Sequence, residues 1–264
     1  MNVLIHKLRN FFLTLSPEKT LFEGIGLYSK VRVTKTGDRL NLYTGENFLQ
    51  TYYNTRVNPQ GNYFDWYLIL PWFSGIFQGN IESLLILGLG GGSQVKLFNQ
   101  VYNVKNITGV EIDPLIISLG KQYFDLNETN LTTISIDAYS FFDTSRQKYS
   151  HIIVDNFKEN VFDVNCQSPS FFEKIHKHLT TDGVLLLNKL KDDPSNANVK
   201  KELKDFFETV VEINISYNTF FIATDSAKAP KNAADVQHLL LKASELNKAL
   251  KFFRLLKLQS INVI

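Results

Sequence analysis

From Leu84 onward the chain repeats one hydrophobic pattern: a short, almost continuously apolar run followed by an amphipathic stretch of helical length. The runs are LLILG (84–88), ITGVEID (107–113), TTISID (132–137), HIIVD (151–155) and GVLLLNKL (183–190). Between them lie SQVKLFNQVY, PLIISLGKQYF, a short helix around Ser140 to Phe142, and SPSFFEKIHKHL with its serine cap; KKELKDFFETV comes after the last. VVEINI and NTFFIAT then read as a closing hairpin. Strands apolar on both sides, alternating with helices, predict a parallel sheet covered on both faces.

A terminal antiparallel pair after the fifth strand–helix unit narrows this α/β pattern. It predicts a Rossmann-like, class I methyltransferase-type sheet of seven strands. Ahead of it the texture differs. YSKVRVTKTGDRLNLYTG alternates polar and apolar residues around Gly37-Asp38, the mark of a hairpin. ENFLQTYYN continues extended, and NYFDWYLILPWFSGIF looks helical. The expectation is a small antiparallel β region at about 20–55 and a linking helix at about 62–78. The chain then divides into an N-terminal part (1–80), a nucleoside-binding domain (81–226) and a C-terminal amphipathic helix (227–264). That cationic tail is read as packing on the core or on another subunit ahead of a membrane. MNVLIHKLRNFFLTLS reads as an amphipathic first helix and not a signal peptide.

Composition changes this picture little. The 264 residues are 44% hydrophobic and 20% charged, with a formal charge of +2. Such a balance gives no reason to expect a nucleic-acid partner. No window holds the roughly 18 unbroken apolar residues of a membrane span. Cys166 stands alone, which excludes an intramolecular disulfide or a thiolate zinc cage and suits the cytoplasm. It reads as a buried thiol before a nucleophile. The five histidines show no metal spacing, so no metal is expected.

The chemistry gathers at the strand ends. In LLILGLGGGSQ, glycines at 88, 90, 91 and 92 directly follow the first run. Each glycine inside an element costs about 0.5–1 kcal/mol relative to alanine, so a cluster marks a sharp bend or a close approach. Ligands of such sheets sit beyond the carboxyl ends of the strands, which this turn faces. A phosphate cradle would need a Lys-Ser/Thr pair that is absent here. Glu111 and Asp113 end the second strand, where a carboxylate accepts from ribose hydroxyls. Asp137 ends the third beside the small Ala138, suited to an adenine amine, and Asp155 ends the fourth. Each acid alone could equally be a helix N-cap. Four converging on one crevice indicate a nucleoside site.

These residues resemble the polyamine aminopropyltransferases (spermidine synthases), in particular their spermidine-synthase-like relatives. The similarity runs from Tyr28 to Thr224 and is strongest in LLILGLGGGS, GVEIDPLIISLGKQYFDL, SIDAYSFF, YSHIIVDNF and SFFEKIHKHLTTDGVLLLNKL. The resemblance implies a small N-terminal β domain, decarboxylated S-adenosylmethionine as co-substrate, aminopropyl transfer to an amine, and a homodimer. It also implies that Gln50 and Glu111 bind the nucleoside, that Asp137 binds adenine, and that Tyr63 and Asp155 are catalytic. A carboxylate at 155 can hold an ammonium, take its proton and aim the lone pair at the carbon beside a sulfonium.

The departures fall on the amine-binding positions. Gly91 stands where the family's glycine loop carries an aspartate, and Lys158 where it carries a second acidic residue. Phe64 and Asp65 replace the histidine and glutamate of its Tyr-His-Glu-Met signature, and Glu159 is a candidate substitute through a shifted loop. Two other readings stay open: a methyltransferase using S-adenosylmethionine itself, and a non-catalytic nucleoside-binding homologue.

Overall fold

Leu84 and Ile86 point into one apolar layer, and Leu85 and Leu87 into the opposite one. The run is continuously apolar because its strand is covered on both sides. The structure, a computed structural model, describes residues 17–54, 59–74, 79–158 and 161–264. The expected N-terminal helix and Glu159 lie outside these residues.

Four strands, β1 (Lys19–Ile25), β2 (Lys30–Thr36), β3 (Arg39–Thr44) and β4 (Phe48–Asn54), form an antiparallel meander. Tyr63–Ser74 is a 3-10 helix with Pro71 inside it, where the linking helix was expected. The chain then alternates as β5 (Asn80–Leu87), α1 (Ser93–Val101), β6 (Asn103–Glu111), α2 (Pro114–Tyr123), β7 (Leu131–Ser135), α3 (Ala138–Thr144) and β8 (Tyr149–Val154). After a two-residue hairpin, β9 (Phe157–Lys158) and β10 (Val161–Phe162), come α4 (Pro169–His178), β11 (Leu179–Leu190), α5 (Asn196–Phe206), β12 (Thr209–Ile215) and β13 (Asn218–Thr224).

The large sheet has eight strands, and the sequence reading gave seven. β14 (Ile261–Val263) is the eighth, in the order β14-β12-β13-β11-β8-β5-β6-β7. Strands β7, β6, β5, β8 and β11 run parallel, and β13 is antiparallel to both of its neighbours. The tail is accordingly not one helix. α6 (Ala233–Leu246) ends at Asn247, whose side chain caps a following 3-10 helix, Lys248–Leu255. Ile261 then pairs with Ile213. Val236, Leu240, Ala243, Phe252 and Phe253 are buried in the main core, so the apolar face of the tail is spent on packing. Trp66, Tyr67 and Trp72 belong to the same core. No helix among the described residues is long and apolar enough to cross a membrane.

The small sheet docks beside the ligand side of the large one. Val31, Val33 and Leu42 pack on Ile116, Leu119 and Phe124 of α2 and its C-terminal end. Leu27 N donates to Asp113 Oδ2 at 2.6 Å, and Gly91 N donates to Thr51 Oγ1 at 2.7 Å. These ties close one wall of a crevice.

Candidate active site at the switch point

β5 and β8 are neighbours, but the chain leaves β5 toward β6 and β7 and leaves β8 toward β11. This is the reversal of strand order at which such sheets open a crevice. Gly88 and Asp155 face each other across it. Asp155 N donates to Leu87 O at 2.8 Å, and a Cβ on Gly88 would stand 2.2 Å from Asp155 O. With φ at +86°, position 88 admits glycine almost alone.

Two cavities meet there, sharing Gln50, Gly88, Asp155 and Phe157 in their walls. The first, about 150 Å³, lies under the small sheet and against the ends of β6 and β7. Glu111, Asp113, Asp137 and Ala138 line it, as the sequence predicts. Glu111 is almost fully buried. Its Oε2 accepts from Gly90 N at 2.9 Å and its Oε1 from Asp113 N at 3.1 Å. Burial holds its carboxyl above the usual carboxylate range, against the pull of these amides. Ile112 N also donates to it, which leaves the carboxylate one lone pair for a ribose hydroxyl.

Two of the four acids are helix caps. Asp113 spends Oδ1 on Leu115 N at the start of α2 and Oδ2 on Leu27 N. It lines the cavity while each of its oxygens also serves the backbone. Asp137 Oδ1 accepts from Ser140 N at 3.0 Å and Ser140 Oγ at 3.1 Å to cap α3. The glycine loop divides as well. Gly88 and Gly90 line cavities, whereas Gly91 and Gly92 do not appear in either wall. A Cβ on Gly91 would meet Thr51 Cγ2 at 2.8 Å, and one on Gly92 would meet Leu126 at 2.2 Å. Both glycines serve close packing behind the loop.

The second cavity, about 350 Å³, is walled by Phe48, Leu49, Phe64, Leu190 and Tyr217, with Tyr63, Gln94, Asn188 and Asn218 among its polar residues. Asp155 is the centre of its hydrogen bonding. Asn188 Nδ2 donates to Asp155 Oδ1 at 2.7 Å and Gln94 Nε2 to Oδ2 at 3.0 Å, while Tyr67 hydrogen-bonds the same carboxylate. Tyr63 shares its hydroxyl with Tyr67 at 2.8 Å and accepts from Asn188. Desolvation raises the Asp155 carboxyl, and the three donors oppose that rise. Burial, with Asp155 nearby, pushes the Tyr63 hydroxyl far above its ordinary value, so it stays protonated. Gln50 Oε1, at the junction, is buried without a hydrogen-bond partner. That is an acceptor awaiting a ligand.

The sequence assigns no role to Asn188, Gln94 or Thr51. Asn188 carries a readable signal, a polar residue breaking GVLLLNKL near its carboxyl end, by the same rule that finds Asp155. Tyr67 is hidden in an unbroken apolar stretch. Asp65, in place of the family's glutamate, is buried and collects Gln60 N, Gly61 N and Asn62 N on Oδ2 at 2.8–2.9 Å. It pins the entry to the 3-10 helix and lines neither cavity. Lys158 pairs with Asp163 at 3.1 Å and lies over the Tyr28 ring at the first cavity. Cys166 is buried beside Asn156, and burial pushes its thiol up to about 12, which disfavours the thiolate.

The chain is 30% identical over 190 residues to a protein of Bifidobacterium longum named probable polyamine aminopropyl transferase. That match covers 72% of this chain but 42% of the relative's length. A probable spermidine synthase of Corynebacterium glutamicum superposes with a TM-score of 0.69 at 18% identity, covering 83% of this chain and 86% of that one. Human methyltransferase-like protein 13, in complex with SAH, superposes at 0.59 with 22% identity over 70% of this chain and 88% of that one. Residues 70–229 match the spermine/spermidine synthase domain, and the chain belongs to that family.

Proposed function

We propose that the chain is a spermidine synthase-like aminopropyltransferase that moves an aminopropyl group from decarboxylated S-adenosylmethionine to an amine. One observation carries the reading: Asp155, held by three donors, stands where the first cavity meets the second. Glu111 then takes a ribose hydroxyl, and Asp137 beside Ala138 takes the adenine amine. Gln50 Oε1 fits the need for an acceptor facing the donor's ammonium. Asp155 binds the acceptor's ammonium, removes a proton and aims the freed lone pair, and Tyr63 orients it through Asn188 and Tyr67.

The choice of donor follows from charge. Among the described residues lining the second cavity there is no lysine or arginine. Lys158, on the first, is engaged by Asp163. A carboxylated donor would bring its carboxylate near Asp155 with no cation to offset it. The decarboxylated donor brings only an ammonium. Methyl transfer is the second reading, supported by Gly91, which leaves the loop without the carboxylate that would repel S-adenosylmethionine. The exposed apolar pair Ile25 and Leu27 on the small sheet supports assembly as a homodimer.

Calorimetry with both donors, together with methylthioadenosine release from the decarboxylated one in the presence of amines, tests the proposal. The reading requires tighter binding of the decarboxylated form and amine-dependent release that Asp155→Asn abolishes. Tighter binding of S-adenosylmethionine sinks it.

A further inference from the structure

We infer that the acceptor is a primary amine with a single positive charge on an apolar body, and not an α,ω-diamine. The inference rests on the aminopropyl-transfer reading above and specifies its second substrate. Asp155 is the one carboxylate among the described residues lining the second cavity. Asp65 is turned away and saturated by three backbone amides, and Lys158 brings a cation to the neighbouring cavity. The apolar part of the lining is Phe48, Leu49, Phe64 and Leu190, with Phe64 stacked on Tyr52.

A second ammonium pressed on that wall would be desolvated with no counter-charge among the described residues that line the cavity, which is among the costlier arrangements in a protein. A methyl group in the same place gains from burial. The apolar wall also continues outward. Leu190 and Tyr217 are shared with a shallow groove that includes Val161, and Tyr217 and Val161 are 84% and 62% exposed. Of the two acids in this groove, Asp193 is tied to the buried Lys189 at 2.8 Å and Asp192 is exposed to solvent. A longer apolar tail would therefore lie across Tyr217 as it leaves the cavity.

In the transfer itself, the monoammonium gives one proton to Asp155. Its nitrogen then bonds the terminal propyl carbon as that carbon's bond to sulfur breaks. The electron pair leaves on sulfur as the neutral thioether, and the secondary amine carries the positive charge.

The test pairs 1-aminopentane with 1,4-diaminobutane, which differ only in exchanging a terminal methyl for an ammonium. With decarboxylated S-adenosylmethionine, methylthioadenosine release should show kcat/KM at least ~10-fold higher for 1-aminopentane. Tyr217→Glu, at an exposed position that tolerates the change, should narrow that ratio by adding a carboxylate at the mouth. Preference of the unaltered chain for 1,4-diaminobutane, or for a longer polyamine, overturns the inference and leaves the aminopropyl reading standing. Release with no amine at all, despite saturable methylthioadenosine binding, overturns both.

Discussion

Asn188 donates its side-chain amide to Asp155 Oδ1 at 2.7 Å, joining the ends of two adjacent parallel strands through a single hydrogen bond. The same nitrogen reaches the Tyr63 hydroxyl, and Asn188 Oδ1 accepts from Asn218 Nδ2 at 2.9 Å. Asn218 thereby fixes which way the Asn188 amide faces. The carboxylate proposed to meet the amine is aimed from behind by a neutral network. Neutral donors stabilise the ionised form without adding a charge that would compete with a cationic substrate.

Removing that donor should show in the pH profile as well as in the rate. Asn188→Ala lets desolvation act on Asp155 with less opposition, so its carboxyl rises further. Activity that needs the ionised form then loses its acidic limb at higher pH than in the parent chain. A drop of about 10- to 100-fold in kcat/KM is expected, since one hydrogen bond to a charged group contributes about 1.5–3 kcal/mol. An unshifted acidic limb would show that Asn188 does not tune Asp155.

Glu111→Gln addresses the nucleoside. The substitution keeps the shape but removes the charge that strengthens bonds from ribose hydroxyls, so methylthioadenosine should bind about 10- to 100-fold more weakly. The pH dependence has a definite sign. Because burial raises the Glu111 carboxyl, the folded chain keeps that proton to higher pH than the unfolded chain. The contribution to stability is greatest at low pH and declines as pH rises through the folded-state value, while nucleoside affinity climbs over the same interval. Calorimetry across pH should show that climb in the parent and none from this group in the variant.

The strand–helix alternation and the position of the crevice were legible because apolar runs and glycine clusters are local signals. The eighth strand was not. Ile261–Val263 is too short to stand out, and it exists only because β12 offers an unpaired edge. The 3-10 geometry of Tyr63–Ser74 was also hidden, since burial around nearly its whole circumference erases the amphipathic period. At the site, a strand-end acid signals proximity to the crevice without saying whether its oxygens face a ligand or a helix. Asp113 and Asp137 cap helices, whereas Glu111 and Asp155 precede none directly. Only the three-dimensional hydrogen bonds separate the two kinds.

His151 gives the chain an acid sensitivity unrelated to catalysis. It is fully buried between Ser74 Oγ at 3.3 Å and Ser150 Oγ at 2.9 Å, and burial pushes its imidazole down to about 3. The unfolded chain takes up this proton near the ordinary 6.5, so stability falls as pH drops below that value and continues to fall until about 3. One such group contributes at most about 1.36 kcal/mol per pH unit. His151→Gln should therefore show a shallower loss of urea midpoint between pH 7 and about 4.5 than the parent. Parallel losses in the two chains would rule the histidine out as the source.

Gly91 is the departure from the family loop that most invites repair, and the structure says why simple repair fails. A Cβ at this position meets Thr51 Cγ2 at 2.8 Å and Oγ1 at 3.0 Å, so Thr51 fills the space that a side chain would need. Gly91→Asp should cost about 1–3 kcal/mol by overpacking. Thr51→Ala alone should cost a similar amount by leaving the Gly91 N–H, now bonded at 2.7 Å, without a buried partner. Because the smaller residue at 51 removes the clash that Gly91→Asp creates, the double variant should be more stable than the sum of the singles by about 1 kcal/mol or more. Strict additivity in thermal melts would mean that the two positions do not compete. The donor gives a second readout: an added carboxylate should tighten the decarboxylated form in the double variant relative to Thr51→Ala and weaken S-adenosylmethionine. Thr51 and Gly91 then act as one coupled choice, in which the chain gave up the loop's own anion and closed the gap with a threonine.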